Sequence, residues 1–300
     1  MNEGHIRVFP RRTRLTPIDE WAFIGEPPLF RPPFDQAVDI SVSAVFTWDI
    51  EVAKWLKDAW GQYYPKVRIG GPAISGPDGD FTPGLYVKRG INFTSRGCNN
   101  RCPWCLVPKM EGKIRLLKIQ PGNVIQDNNF LQTGRDHMAR VFEMLRHERY
   151  PARFAGGLDP ELVDDWVAEE LRSLRIDEVF LSADSYAGLQ GLKKAAEKLS
   201  FLSDKSKRLR CYVLCAYGSD TPAKAEGRLW QVVKAGCTPF AQLYQPPDKF
   251  VEYSQEWQDL ARKFMRPAIV AALKRKRERA ADKLGKQLSE NRDAERLFEE

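Results

Sequence analysis

Apolar and polar positions over residues 90–250 follow two alternating patterns. Short apolar runs bounded by turn residues are separated by longer segments in which apolar residues recur at helical spacing. Strands separated by helices of this length predict a parallel sheet with helices packed outside it, so the expected fold class is α/β. The predicted strands are one short strand before Cys98 and then 123–126, 152–155, 178–182, 209–216 and 239–244. The predicted helices are 134–148, 160–174, 189–202, 222–235, 257–265 and 267–286.

The first 90 residues are expected to form an extension before this repeating pattern. Prolines are dense in residues 1–36 and disfavour regular secondary structure, so we interpret this segment as an ordered strap lying against the rest of the protein. A cover over a substrate site is the functional alternative for the strap. A strand over 38–43, a helix over 50–63 and a strand over 67–72 then predict a βαβ unit.

Three cysteines lie in one tight loop, Cys98, Cys102 and Cys105, at Cys-x3-Cys-x2-Cys spacing. A [4Fe–4S] cluster is normally held by four cysteine thiolates. This loop supplies three thiolates, and no fourth cysteine or histidine lies near it in the sequence. The spacing therefore predicts that these three cysteines are metal ligands and that one iron of the cluster is left open to another ligand.

Two other uses of the cysteines are less well supported. A structural zinc site needs four ligands, and the three histidines all lie far from the loop in sequence. Six cysteines in 300 residues are sparse for a disulfide framework, and the polar first ten residues lack the apolar core of a signal peptide. A reducing, cytoplasmic location is therefore expected. The remaining cysteines are expected to be buried like apolar side chains: Cys211, Cys215 and Cys237.

The cysteine spacing, with Trp104 directly before the last cysteine, resembles the signature of the radical S-adenosylmethionine (SAM) superfamily. The resemblance implies a [4Fe–4S] cluster, with Cys98, Cys102 and Cys105 as catalytic residues, whose open iron chelates SAM. It also implies an external flavodoxin- or ferredoxin-like electron donor and reductive cleavage of SAM to a 5′-deoxyadenosyl radical that abstracts hydrogen from a substrate. The fold it implies is an open, TIM-like partial (β/α)6 barrel.

The βαβ unit resembles the end of the Rossmann-like domain that precedes the radical core in cobalamin-binding members of the superfamily. It lacks the Asp-x-His-x-x-Gly motif with which many of those members replace the lower axial ligand of cobalamin, so cobalamin is not indicated. The expected organisation is an N-terminal strap plus truncated Rossmann-like unit over 1–90, the partial barrel over 91–253 and a basic helical tail over 254–300.

Function in such barrels gathers at the carboxyl ends of the strands, and the resemblance assigns cofactor binding to residues there. The sequence leaves open whether SAM is held after the second strand or after the third. An Asx-rich turn and helix capping are the structural alternatives at these strand ends. The expected cofactor-binding residues are Trp104 in the loop, Asp127, Asn128 and Asn129 after the second strand, Gly156 and Gly157 after the third, Ser182 and Asp184 after the fourth, and Gln242 and Tyr244 at the sixth.

The formal net charge of +7 suits a polyanionic partner, and basic residues concentrate in residues 7–14 and 274–279. Neutralisation of phosphates by such surfaces is the main source of nonspecific nucleic-acid affinity. The leading substrate hypothesis is a nucleic-acid base or nucleotide, with a peptide or small metabolite as the alternative. A cluster- or zinc-holding nucleic-acid-binding module is the non-enzymatic alternative. No apolar run approaches the roughly 18 residues of a membrane helix, so no membrane partner is expected.

Overall fold

The computed structural model describes residues 5–29, 39–74, 80–202 and 208–297, with the side chains of the last helix described as far as Asp282. The chain is α/β, and its strands form two parallel sheets and one antiparallel hairpin. The strands are β1 (His5–Phe9), β2 (Ala22–Ile24), β3 (Asp39–Ser43), β4 (Val67–Gly70), β5 (Ile91–Asn92), β6 (Ser95–Arg96), β7 (Arg115–Leu116), β8 (Val124–Ile125), β9 (Ala152–Leu158), β10 (Ile176–Ser182), β11 (Leu209–Cys215) and β12 (Thr238–Leu243). The α-helices are α1 (Ile50–Gly61), α2 (Val107–Met110), α3 (Arg135–Arg146), α4 (Asp165–Arg172), α5 (Gly188–Lys198), α6 (Pro222–Lys234), α7 (Gln255–Met265) and α8 (Pro267–Leu297).

The first sheet has four parallel strands in the order β2-β1-β3-β4. Alternate residues of β1 and β3 pack against the apolar face of α1 and form its core. Trp60 of α1 is fully buried, and its indole N–H donates a hydrogen bond to the carbonyl of Gly25, 3.0 Å away, just beyond β2. The two strands of the predicted βαβ unit, β3 and β4, are therefore half of a four-stranded sheet.

The interpretation of residues 1–36 as an ordered strap, irregular over most of its length, missed two strands, because β1 and β2 lie within it and belong to the first sheet. The prolines stand outside these two strands, so they remove no hydrogen bond from the sheet. Arg7 obscures the apolar pattern of β1 in the sequence, since its side chain is fully buried and forms an ion pair with Asp19. Residues 30–36 of the predicted strap lie outside the described residues.

The second sheet contains the six strands that the sequence predicts over residues 90–244. They are parallel and lie in the order β5-β8-β9-β10-β11-β12, so each pairs with the strand that follows it along the chain in this sheet. This confirms the prediction of a parallel α/β sheet. The predicted helix over 160–174 is divided into a 3-10 turn at Pro160–Leu162 and α4, whose N-cap Asp164 accepts from the N–H of Val167 at 2.9 Å.

The two faces of the second sheet differ in burial. One face packs against α3 to α8 and forms the main core, and Cys211, Cys215 and Cys237 are buried in this core as predicted. On the opposite face, which we call the open face, side chains of the last four strands are half-buried or exposed towards the carboxyl ends. The open face comprises Gly157, Ser182, Tyr212, Phe240 and Gln242, and Phe180 on the same face is buried beneath the ring of Tyr212.

The predicted helical tail consists of α7 and α8. Phe264 of α7 packs edge-to-face on Trp230 of α6, with ring centroids 5.4 Å apart. The guanidinium of Arg277 in α8 lies 3.9 Å from the centroid of the Trp230 ring, which attaches the first part of α8 to the second sheet's helices. Among the helices within the described ranges, none combines the length and apolar character needed to cross a bilayer.

Candidate functional site

The cysteine loop follows β5 and is held by a hairpin of β6 and β7 that the sequence did not predict. The backbone N–H of Cys98 donates to the carbonyl of Gly112 at 3.1 Å. Gly97 has a φ of +82°, and a Cβ at this position would lie 2.2 Å from the carbonyl oxygen of Lys113. Only glycine fits this turn, which directs the first cysteine to the carboxyl end of β5.

The three thiols of the loop are free and half-buried. The N–H of Cys105 donates to the carbonyl of Cys102 at 3.0 Å, closing a tight turn between them. Burial raises the pKa of both Cys102 and Cys105, and nearby thiols of the loop raise it further. Ionised thiols on this loop would repel one another, and a bound cation would relieve that repulsion.

Within the described part of the chain, no three His, Cys, Asp or Glu side chains surround one point as ligands of a single ion. A cubane cluster places each thiolate on a separate iron, so its ligands are spread more widely than those of one ion. Three thiols on one loop are a donor set of the kind that iron–sulfur clusters take.

Asp127, which is predicted to bind the cofactor, anchors the segment that leads into the cysteine loop. Its side chain is 1% exposed. The carboxylate accepts hydrogen bonds from the backbone N–H of Thr94 at 2.7 Å, from the Thr94 hydroxyl at 2.6 Å and from the Ser95 hydroxyl at 2.7 Å. Burial raises the pKa of Asp127, while these hydrogen bonds lower it. This carboxylate is buried and its oxygens are satisfied by Thr94 and Ser95, and a direct contact between Asp127 and a cofactor stays a prediction.

Asn129 after β8 and Asp159 after β9 reach the same part of the cysteine loop. The Nδ2 atom of Asn129 lies 3.7 Å from Sγ of Cys98 and 3.5 Å from Oδ2 of Asp159. The same Asp159 oxygen accepts from Nδ2 of Asn100 at 2.9 Å, and Gln132 Nε2 donates to Oδ1 of Asn100 at 2.8 Å. The second and third strand ends, between which the sequence could not choose, therefore meet at one place.

Gly156 and Gly157 shape the end of β9. A Cβ on Gly156 would lie 1.8 Å from the carbonyl oxygen of Asp127, so only glycine lets β9 pass this close to the end of β8. Gly157 has a φ of +90°, and a Cβ there would lie 3.3 Å from the ring of Tyr212. The pair brings Asp159 to the cysteine loop, and a backbone contact to the cofactor stays a prediction.

Trp104 joins the cysteine loop to the ends of β10, β11 and β12. Asp184 after β10 accepts hydrogen bonds from the N–H of Leu214 at 3.0 Å and from the Trp104 side chain. Burial raises the pKa of Asp184, and these hydrogen bonds oppose the rise. The ring of Tyr217 lies edge-to-face against Trp104 at 5.5 Å and against Tyr244 at 4.9 Å. Tyr217 was not predicted, although it follows β11 at the edge where the other candidates lie.

The turn that carries Tyr217 is strained and locked. Ala216 has a φ of +64°, in the left-handed region that residues other than glycine rarely occupy. Its N–H donates to Asp220 at 3.0 Å, and Arg228 donates to both carboxylate oxygens of Asp220 at 2.8 and 2.7 Å. The side chains of this ion pair are only 9% and 7% exposed. A buried ion pair therefore holds the strain that fixes Tyr217 beside the loop.

Two amide atoms in the segment after β8 are buried without a hydrogen-bond partner among the described residues, Nδ2 of Asn128 and Oδ1 of Asn129. An unpaired buried amide costs roughly 1–3 kcal/mol, so such atoms mark positions where a ligand can bind. A donor and an acceptor on neighbouring residues fit the carboxylate and amino groups of an amino-acid ligand. Ser182 and Gln242 lie on the open face near the same edge, and their role as cofactor ligands stays a prediction.

Comparison with known proteins assigns no family to this site. No protein-family model matches the chain. No curated protein matches it either. The function is therefore inferred from the residues and contacts of the chain itself.

Proposed function

We propose that this protein is a radical SAM enzyme that binds a [4Fe–4S] cluster through Cys98, Cys102 and Cys105. The observation that carries the proposal is the convergence of all six strand ends of the second sheet on one three-cysteine loop. The loop follows β5, and residues after β8, β9, β10 and β11 contact it. Tyr244 after β12 contacts Tyr217, which in turn contacts the loop. The sequential parallel order of the strands, with helices on one face, supports the finer fold of an open partial (β/α)6 barrel.

A bound cluster would supply the electron that cleaves SAM to methionine and a 5′-deoxyadenosyl radical. Asn128 would donate to the carboxylate of SAM and Asn129 would accept from its amino group, which would satisfy their unpaired donor and acceptor. The Asn129 amide also points to the Cys98 sulfur, and a hydrogen bond to a ligating sulfur tunes the potential of a cluster. Trp104 and Tyr217 pack together beside the loop on the side of β11 and would limit the access of water to a bound cluster there.

The substrate we propose is a nucleic-acid base or nucleotide, recruited by the exposed basic run of α8, residues 274–279. The N-terminal basic segment contributes less than its sequence suggests. Arg7 is buried and paired with Asp19, and Arg11 is paired with Asp49. A peptide or small metabolite held on the open face is the alternative substrate, and an external flavodoxin- or ferredoxin-like protein is the proposed electron donor.

A nucleic-acid-binding module without catalysis is the second candidate function. The exposed run of α8 favours it, because a basic helix binds phosphates whether or not the cysteine loop holds a cluster. It leaves unexplained why residues after the other strands of the second sheet should gather around the cysteine loop.

The proposal is tested by anaerobic reconstitution with iron and sulfide, followed by SAM and dithionite. We expect release of 5′-deoxyadenosine by the wild-type protein and loss of that release in Cys98→Ala, Cys102→Ala and Cys105→Ala. Cys237→Ala is the matched control, because this cysteine is buried at the start of β12, away from the loop. It should keep both iron content and release.

Stoichiometric zinc without absorption near ~400 nm would contradict the cluster assignment. Release of 5′-deoxyadenosine that persists in any one of the three loop variants would show that the loop is not the cluster site.

A further inference from the structure

Asp159, just after β9, accepts hydrogen bonds from three different segments. Its Oδ1 accepts from the backbone N–H of Glu161 at 3.2 Å, which fixes the carboxylate on the 3-10 turn that follows the strand. Its Oδ2 accepts from Nδ2 of Asn100 at 2.9 Å and from Nδ2 of Asn129 at 3.5 Å. Within the described ranges no lysine, arginine or histidine forms an ion pair with it. The donors that meet this carboxylate are therefore amide groups.

The carboxylate of Asp159 sets the direction of a row of side-chain amides in the cysteine loop. An ionised carboxylate accepts hydrogen bonds and donates none, so an amide that meets it must present its NH2 group. Asn100 therefore turns Nδ2 to Asp159 and Oδ1 to Gln132, whose Nε2 donates at 2.8 Å. Gln132 in turn uses Oε1 to accept from the backbone N–H of Asn99 at 2.8 Å. The row ends on an acceptor at one side and on a donor at the other, so it has a single consistent orientation.

The same rule applies to Asn129, whose side chain is 4% exposed. Its Nδ2 lies 3.5 Å from Oδ2 of Asp159 and 3.7 Å from Sγ of Cys98, and the NH2 group has one proton for each of these acceptors. Its Oδ1 then points away from the carboxylate and is buried without a hydrogen-bond partner among the described residues. A reversed amide would place Oδ1 against the oxygen of Asp159 and leave the NH2 group without these acceptors, which is costly for a buried group. Asp159 therefore decides which amide atom faces the sulfur.

We propose that Asp159 is a positioning residue of the cluster site, and that it holds the Asn129 amide so that Nδ2 donates to Sγ of Cys98. This deepens the proposed function and rests on it, because Cys98 is one of the three proposed cluster ligands. Hydrogen bonds to the sulfurs and the charge of the surroundings both set the reduction potential of a cluster. An N–H donor at the sulfur favours the more negative, reduced state and raises the potential, whereas the charge of Asp159 itself lowers it. The same orientation leaves Oδ1 of Asn129 as an acceptor for a donor group of the ligand on the open iron.

The first test follows the side-chain amide of Asn129 by NMR in the full chain without a cluster, with asparagine labelled with nitrogen-15. The signal is assigned by its absence from Asn129→Ala. In Asp159→Asn we expect the Nδ2 protons to exchange with water about fivefold faster or more, as expected for loss of one hydrogen bond. Glu161→Gln is the matched control, because this exposed carboxylate is two residues away and lies against Gly191 of α5. It should change the exchange by less than about twofold.

The second test compares the reduction potential of the reconstituted cluster in wild type, Asp159→Asn, Asn129→Ala and the double variant, by titration monitored with electron paramagnetic resonance. Asn129→Ala removes the donor to Cys98 and should shift the potential to more negative values. In the Asn129→Ala background, Asp159→Asn removes a negative charge alone and should shift the potential to more positive values. In the wild-type background the same substitution also releases the amide, so its shift should be smaller or of opposite sign. The difference between the two shifts measures the coupling of the two side chains.

The inference is overturned if Asp159→Asn leaves the exchange of the Asn129 amide unchanged. It is also overturned if Asp159→Asn shifts the potential equally in both backgrounds, since the carboxylate then acts by its charge alone. Failure of the proposed function gives a different pattern, in which reconstituted wild-type protein contains no iron–sulfur cluster. The exchange measurement needs no cluster, so in that case, or if a variant takes up no iron, it decides by itself whether Asp159 orients Asn129.

Discussion

The side chain that fixes the position of the cysteine loop is Asp127. It follows β8, yet its three hydrogen-bond donors come from Thr94 and Ser95, which stand just before the loop. A sequence pattern shows that Asp127 lies at a strand end, but it does not show whether the carboxylate points to a ligand or to a neighbouring loop. Burial decides this, since a carboxylate that is 1% exposed must be satisfied inside the protein.

We expect Asp127→Asn to lower the free energy of unfolding by about 2 kcal/mol, because the amide NH2 group would face hydroxyl and N–H donors. The loop should then be displaced, so reconstituted iron per chain should fall as well. Urea denaturation and iron analysis measure the two effects. The matched control is Asp177→Asn, an exposed aspartate of β10, which should change stability by less than about 0.5 kcal/mol. Unchanged stability and iron content in Asp127→Asn would show that the loop does not depend on this anchor.

The turn after β11 has a strained backbone at Ala216, and the ion pair between Asp220 and Arg228 holds it in place. The left-handed backbone conformation of Ala216 costs free energy, and the ion pair between Asp220 and Arg228 offsets that cost. This conformation places Tyr217 against Trp104. Burial raises the pKa of Asp220, but hydrogen bonds from Arg228 and Ala216 outweigh it and the pKa is lowered. A lowered carboxyl pKa in the folded state gives stability that is present above the unfolded pKa and is lost as pH falls through the folded pKa.

Asp220→Asn should therefore lower the free energy of unfolding at neutral pH by about 3 kcal/mol, since it leaves the Arg228 charge buried without its partner. The difference from wild type should stay constant between about pH 7 and pH 5 and shrink only as the pH falls below the ordinary aspartate value near 3.9. Denaturant unfolding at several pH values measures this. The control is Asp248→Asn, an exposed residue after β12. If the difference in free energy of unfolding between wild type and Asp220→Asn increased as the pH fell, the pKa of Asp220 would not be lowered by the ion pair.

The second sheet could be predicted at the level of elements because its strands are apolar runs and its helices have apolar faces of regular period. The first sheet was missed in part, since the buried Arg7 interrupts the apolar run of β1 and its partner Asp19 is twelve residues away. The hairpin of β6 and β7 has two-residue strands without a periodic pattern. The cysteine spacing predicts a cluster site in this loop, and that assignment stays a prediction. The contribution of Tyr217 and Asp159 to the site could not be predicted from the sequence, because the loop residues that they contact lie far from them along the chain.

At the scale of the whole molecule, the two basic segments of the sequence do not contribute equally to the exposed positive charge that underlies the net charge of +7. Arg7 and Arg11 are paired, whereas the run in α8 is exposed. Within that run, the guanidinium of Arg277 stacks on the ring of Trp230 and attaches α8 to α6. Arg275, Lys276 and Arg279 are exposed without an ion pair recorded in the described part of α8, so they are the residues to test for phosphate binding.

Replacing Arg275, Lys276 and Arg279 with glutamine should lower the affinity for oligonucleotides and flatten its dependence on salt. Each phosphate contact removed should reduce the slope of log affinity against log salt by about one unit. Keeping Arg277 preserves the contact that attaches α8 to Trp230, so the fold should be unaffected. Lys193→Gln with Lys194→Gln on α5 is the matched control, because these lysines are equally exposed but lie outside the run. Titrations against single- and double-stranded oligonucleotides at several salt concentrations give the slopes. Binding that is indifferent to the α8 substitutions and to salt would remove nucleic acid as the substrate and leave the peptide or small metabolite on the open face.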